Sequence, residues 1–188
     1  AASPAKWSRN PLRGYLPAVE LAPGDRFPNF LLPDQTGATR SFLERAKGNP
    51  LLVVGDGRDD MLKALAARTP DADCLALVGE APEPAARRAE ALGIAFPLLA
   101  DSAGKIREAL RRMLGFGPQG MFIALLDANQ RVIAARVSLD GAALLDWAEA
   151  RLRALPPLPP AQSLGMAAPV LIVPNVLTPE NCRALIDR

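Results

Sequence analysis

The sequence contains no histidine. That absence excludes histidine-based catalytic triads, histidine-bearing zinc sites and the two-histidine, one-carboxylate iron site from within this chain. Cysteine is scarce too: Cys74 and Cys182 stand far apart and form no CxxC pair. Such sparse usage fits a reducing compartment better than a disulfide framework, so a cytoplasmic location is expected. Neither sign of charge dominates. A net charge of +2 gives no nucleic-acid footprint and no membrane-surface patch. No apolar run approaches the roughly eighteen residues of a membrane span, and the first ten residues lack the charged-then-apolar layout of a secretory leader. Neither nucleic acid nor a membrane is therefore expected as a partner.

What is present suffices for one domain of ordinary size and some extra chain: 188 residues, 49% of them hydrophobic. The organising stretch is 49–65, NPLLVVGDGRDDMLKAL. Leu51 to Val54 form a short apolar run, Gly55-Asp56-Gly57 breaks it, and Met61, Leu62 and Leu65 resume at helical spacing. This is a strand, loop and helix, the first half of a βαβ crossover. In open α/β sheets chemistry is placed in the loop at the carboxyl end of such a strand. Here Gly55, Asp56, Gly57, Arg58, Asp59 and Asp60 supply no cysteine, serine, threonine or histidine, hence no nucleophile.

Residues 1–21 read as an arm interrupted by proline, with Trp7, Leu12, Tyr15 and Leu16 as packing candidates against a floppy-terminus alternative. From Ala22, strands are expected at 29–32 and 38–41 around the turn Asp34-Gln35-Thr36-Gly37, followed by a helical turn over 42–47. The helix after Val54 spans about 59–68. A strand follows at 74–78. Next comes a helix that opens on prolines and stops at Gly93, with Ala86, Ala89 and Leu92 on one face. A strand near 96–99 precedes a helix that turns Ile106, Leu110 and Met113 or Leu114 inward; Arg87-Arg88 and Arg111-Arg112 read as the wet faces of helices. Two strands joined by Asp127-Ala128-Asn129-Gln130 and a closing helix over 140–155, striped by Leu144, Leu145, Ala148, Leu152 and Leu155, complete the domain at 22–155. Residues 156–169 are a proline-rich, stiff linker. The last nineteen residues, 170–188, start afresh as a strand and a helix opened by Thr178-Pro179, too short to bury a core alone.

The order hairpin, β, α, β, α, β, α, β–β, α resembles a thioredoxin-like α/β fold, a central mixed sheet flanked by helices. More narrowly, 22–155 resembles the peroxiredoxin family of alkyl hydroperoxide reductase and thiol-specific antioxidant type. The residues that carry this are Ala22-Pro23-Gly24-Asp25-Arg26-Phe27-Pro28-Asn29-Phe30, Leu32-Pro33-Asp34, Gly37, Phe96-Pro97-Leu98-Leu99-Ala100-Asp101, Gly104-Lys105, Phe122-Ile123 and Leu126-Asp127. The resemblance implies a peroxidatic cysteine in the first turn of the helix after Val54, with an arginine just before Met121. This chain has glycines, aspartates and one arginine from Gly55 to Asp60, and Gln119-Gly120 ahead of Met121. Both halves of a thiolate site are missing, and no catalytic residue is expected.

Residues 170–180, VLIVPNVLTPE, with Cys182, Leu185 and Ile186, resemble the opening of prolyl-hydroxylase-type Fe(II)/2-oxoglutarate oxygenases. That resemblance implies a truncated second domain, or else a docked tail. It places Fe(II) and 2-oxoglutarate only in a downstream domain; no cofactor or metal is expected in this chain. Two functions follow. One is a degenerate, accessory or interaction module whose partner is its own downstream oxygenase, with a homodimer as a further expectation. The other is a thiol-dependent peroxidase or redox protein that uses Cys74 or Cys182 in a non-standard place. Cys74 reads foremost as a buried, inert strand thiol and Cys182 as half-buried helix packing. Asp56, Asp59 and Asp60 read as capping acids, with a hard-cation site as the alternative. Asp56, Arg58 and Gln119 are the residues that would line a ligand cleft at the old active site.

Overall fold

The computed structural model describes residues 20–45, 48–68 and 72–156, together with Arg183 and Ile186. Two compact units divide the chain, Ala1–Leu155 and Pro156–Arg188. In the second, Arg183 and Ile186 are helical and exposed. Cys182, the rest of the expected linker and tail after Pro156, and Trp7, Leu12, Tyr15 and Leu16 of the arm lie outside the described residues.

A small antiparallel hairpin comes first, β1 (Leu31–Pro33) against β2 (Thr39–Ser41), with Leu32 opposite Arg40. Its tip is held by Asp34, whose carboxylate accepts from the Thr36 backbone N–H at 2.9 Å and from the Thr36 hydroxyl at 2.5 Å. A 3-10 turn (Phe42–Arg45) leads into β3 (Leu51–Gly55), which is buried throughout. Then follow α1 (Asp59–Arg68), β4 (Asp73–Val78), α2 (Pro82–Leu92), β5 (Leu98–Ala100), α3 (Lys105–Met113), β6 (Met121–Leu126), β7 (Val132–Ser138) and α4 (Gly141–Arg153). The main sheet runs β5-β4-β3-β6-β7. Strands β3, β4 and β5 are parallel, while β6 pairs antiparallel with β3 and β7 antiparallel with β6.

Period-two alternation sends neighbouring strand residues to opposite faces. Leu52, Val54, Ala76, Val78, Ile123 and Leu125 meet Met61, Leu62 and Leu65 of α1, Ala85 and Ala89 of α2, and Leu144, Leu145 and Ala148 of α4. Leu51, Val53, Leu75, Leu77, Phe122 and Ala124 face the other way, onto Leu110 of α3 and the rings of Phe27, Phe30 and Phe42. Those rings stack with centroids 5.2 and 5.0 Å apart. Each buried phenyl stabilises the fold by about 1.5–3 kcal/mol.

The structure moves several expected boundaries. Strand β5 begins at Leu98 rather than 96 because Pro97 has no N–H to give a ladder; its carbonyl accepts from the Ala76 N–H at 2.9 Å. On α2 the wholly buried residue is Ala85, one position before the expected Ala86. The helix ends as expected at Gly93, which takes the left-handed conformation (φ 65°) that lets its N–H cap the last turn. Asp140 caps α4, its carboxylate accepting from the Ala143 N–H at 3.1 Å. The bend between β6 and β7 puts the buried Gln130 at φ 60°.

Candidate functional site

The carboxyl ends of β3 and β4, where this sheet architecture presents its chemistry, abut the start of α1, the face of α3 and the 115–120 loop. Gly55 is not part of the loop, contrary to the sequence expectation. It closes β3, paired with Leu77 on one side and Phe122 on the other. A Cβ there would lie 1.9 Å from the Phe122 ring, so only glycine lets that ring pack over the strand end. The loop is therefore Asp56-Gly57-Arg58, and Asp59 and Asp60 already belong to α1.

Asp56 adopts a left-handed backbone, φ 56°, a conformation aspartate tolerates better than most residues. It aims the carboxylate at α3. Oδ2 accepts from Arg111 Nη2 at 2.8 Å and Nε at 3.0 Å, a two-pronged contact, while Oδ1 accepts from Arg107 Nη1. Arg107 is anchored in turn by Asp101, whose carboxylate lies 3.5 Å from Nε and also accepts the Arg107 backbone N–H at 2.8 Å. Arg111 goes further. Its Nη1 donates to the carbonyls of Gly117 at 2.8 Å and Gln119 at 3.2 Å, and its Nη2 donates also to that of Gly120. Its guanidinium sits 5.3 Å from the centroid of the Phe122 ring. All five N–H groups of Arg111 are thus engaged within the protein, and none is left for a substrate oxygen.

Arg111 is buried, with 7% of its surface exposed, and so does not belong to the wet face of its helix; Arg112 beside it is exposed. Arg107 and Arg111 are the site residues that sequence reasoning missed. Their signal was the four-residue spacing, which puts both on one face of α3. The Gln119 and Gly120 carbonyls ahead of β6 thus accept from a guanidinium of α3.

The three residues expected to line a ligand cleft are only partly brought together. Arg111 ties Asp56 to the Gln119 backbone, with the Gln119 residue itself exposed. Arg58 does not join them: its Nη2 donates to the Leu139 carbonyl at 3.2 Å, and its Nε lies 3.6 Å from Asp60. Nor do the aspartates converge on a cation. Asp56 goes to Arg107 and Arg111, Asp59 to Arg88 at 2.7 Å and Asp60 to Arg58. Among the described residues no group of three or more metal-ligating side chains is arranged to hold an ion. Arg88, expected on a wet face, is instead a tie between Asp59, Glu80 and the Gly57 carbonyl.

Cys74 stands opposite Leu52, near the amino end of β3, whereas Asp56 follows the carboxyl end. At about 3.3 Å per residue, some four residues of strand separate the two levels by on the order of 13 Å. Burial, with a smaller push from the neighbouring Asp73 carboxylate, raises the thiol's pKa to about 12. Its Sγ faces the Ala72 carbonyl at 3.8 Å, a weak contact.

Element order, mixed sheet and flanking helices define a thioredoxin-like α/β fold of the peroxiredoxin type. No protein-family model and no curated protein matches the sequence. Solved structures do. Peroxidoxin BcpB from Mycobacterium tuberculosis superposes with a TM-score of 0.59 at 23% identity, over 73% of this chain and 100% of that one. A cysteine-to-serine mutant of PrxQ from Xylella fastidiosa gives 0.56 at 16% identity, over 72% and 98%. A thiol peroxidase from Chromobacterium violaceum gives 0.52 at 18% identity, over 72% and 92%. At these identities the likeness is one of fold. No helix among the described residues is long and apolar enough to cross a membrane.

Proposed function

We propose that this chain is a peroxiredoxin-like domain without thiol chemistry, serving as an accessory or interaction module of an Fe(II)/2-oxoglutarate oxygenase that its last residues begin. One observation carries the first half of this reading. Where the fold would need free positive charge to hold a thiolate, Asp56 and Asp101 together offset the charges of Arg107 and Arg111 from within. A carboxylate gripped by two guanidiniums is an ion-pair clamp joining β3, α3 and the 115–120 loop. It offers neither nucleophile nor proton donor to a peroxide.

The link to an oxygenase rests on the resemblance of 170–188 alone. The iron ligands of such an enzyme would lie in a downstream domain, since the present chain has no histidine. Docking, pairing with a second copy, or presenting a substrate are the roles open to such a module.

The second reading, a thiol peroxidase working through Cys74 or Cys182, draws support from the folds this chain shares, one of them a thiol peroxidase. Peroxide consumption in the presence of dithiothreitol separates the two. The first reading expects background rates from the wild type, unchanged in Cys74→Ser and Cys182→Ser. Turnover that either substitution abolishes would establish the second and refute the first.

A further inference from the structure

The main sheet ends in β5 on one side and β7 on the other, and the chain treats these two edges differently. The β5 edge is sealed by the first hairpin. Asp34 forms an antiparallel bridge with Leu99, and beyond it the Gln35 carboxamide stands in for a peptide group. Its Oε1 accepts from the Leu98 N–H at 2.8 Å, and its Nε2 donates to the Phe96 carbonyl at 3.4 Å.

The β7 edge is sealed only where the strand begins. There a strip from Gly24 to Phe27 runs antiparallel to it. The Val132 N–H donates to the Asp25 carbonyl at 2.9 Å, the Gly24 N–H to the Val132 carbonyl at 2.7 Å and the Phe27 N–H to the Gln130 carbonyl at 2.9 Å. The strip does not continue along β7, because a turn carries the chain away. In that turn the Asp25 N–H donates to the Ala22 carbonyl at 3.1 Å and the Ala22 N–H to Asp25 Oδ2 at 2.8 Å, with Gly24 at φ 93°. Leu21 is already at the end of α3, its N–H donating to the Met113 carbonyl. From Ile133 to Ser138, half-buried apart from the exposed Arg136, no backbone group has a hydrogen-bond partner on the outer side among the described residues. That stretch is as long as an average strand, about 5–6 residues. An uncovered edge presents a row of N–H and C=O groups onto which an extended chain can add.

Charge separates the occupants. No Asp or Glu occurs from Ala128 to Leu139, and neither Arg136 nor Arg26 of the covering strip enters an ion pair among the described residues. Two copies paired antiparallel over 133–138 would set their Arg136 guanidiniums opposite or diagonal to each other, an unfavourable cross-strand pairing. An extended segment bearing carboxylates meets the same guanidinium favourably.

We infer that the 133–138 edge of β7 takes up an extended, acidic segment of a partner protein as a sixth strand of the sheet. This gives the interaction role proposed above a surface and rests on that reading. Peroxide turnover by a thiol would refute the reading and leave strand addition untouched, whereas failure at β7 would remove this surface and leave the absence of thiol chemistry standing.

The test is an NMR titration of the full chain with the acetylated, amidated hexapeptide Thr-Val-Glu-Val-Glu-Thr, followed at the backbone amides of Ala134, Ala135, Arg136 and Ser138. Saturable shifts at that edge are expected, with slowed hydrogen exchange of its outward amides. The same peptide with lysine for both glutamates should bind roughly tenfold more weakly. Arg136→Glu should invert that preference; the spectrum itself reports whether the variant is folded. Equal affinity for the two peptides would reduce the edge to unspecific strand pairing and overturn the inference. So would the absence of saturable shifts, or a wild type that sediments as a dimer with its β7 amides already protected, since a second copy would then hold the edge.

Discussion

Cys74 gives the sharpest quantitative expectation, and it bears directly on whether this chain does thiol chemistry. Burial lifts its pKa from 9.0 to about 12. At pH 8 the thiolate fraction of the folded chain should then be roughly a thousandfold below that of the unfolded chain, since only the thiolate reacts. A more basic thiolate is the better nucleophile, which returns a factor of about 20 for a Brønsted coefficient near 0.45. The net expectation is disulfide exchange about 50-fold slower in the folded protein. In a Cys182→Ser variant, where Cys74 is the single thiol, the reaction with 4,4′-dithiodipyridine is followed by the absorbance of the released thiopyridone, with and without urea. The native rate should climb tenfold per pH unit from 8 towards 11, while the unfolded rate levels off above about 9. The same asymmetry acts on stability. Between pH 9.0 and about 12 the folded state keeps a proton that the unfolded state has released, so stability falls as pH rises. The slope approaches about 1.4 kcal/mol per pH unit and should vanish in Cys74→Ala. A native Cys74 that reacts at pH 8 as fast as the denatured thiol would refute the argument and reopen the peroxidase reading.

Two substitutions test the clamp and the strand end. Asp56→Asn keeps the size and the left-handed backbone but removes the charge that Arg107 and Arg111 share. With Asp56 28% exposed, the loss should fall below the full cost of breaking a buried pair, at about 2–3 kcal/mol. That corresponds to a drop of roughly 4–12 °C in Tm by calorimetry, and an unchanged Tm would show that the clamp contributes nothing. Gly55→Ala drives a methyl into the Phe122 ring and should cost about 3 kcal/mol or more in urea unfolding. Phe122→Leu in the same chain should recover part of it, and a Gly55→Ala protein within about 1 kcal/mol of wild type would show that the ring gives way freely.

Most of the architecture was legible because it is written in short-range terms. The apolar run at Leu51–Val54, the return of helical spacing at Met61, Leu62 and Leu65, the prolines opening α2 and Gly93 closing it all act within a turn or two of chain. The missing nucleophile was legible for the same reason: a loop without cysteine or serine is read directly from the residues. Boundaries slipped where a partner strand decides them. Gly55 looks like a breaker in the sequence, yet it completes two ladders because Leu77 and Phe122 lie on either side.

The chain by itself determined the sheet-and-helix order and the absence of cysteine, serine, threonine and histidine from residues 55–60. Only the tertiary structure decided what the residues after β3 meet. Asp56 and Arg111 are 55 positions apart, and nothing in local spacing tells an arginine on a solvated helix face from one folded inward to meet a carboxylate. That choice depends on desolvation, which is affordable only when a fixed counter-charge and three backbone carbonyls converge on the same guanidinium. Convergence of that kind is a property of the packed chain, not of any stretch within it.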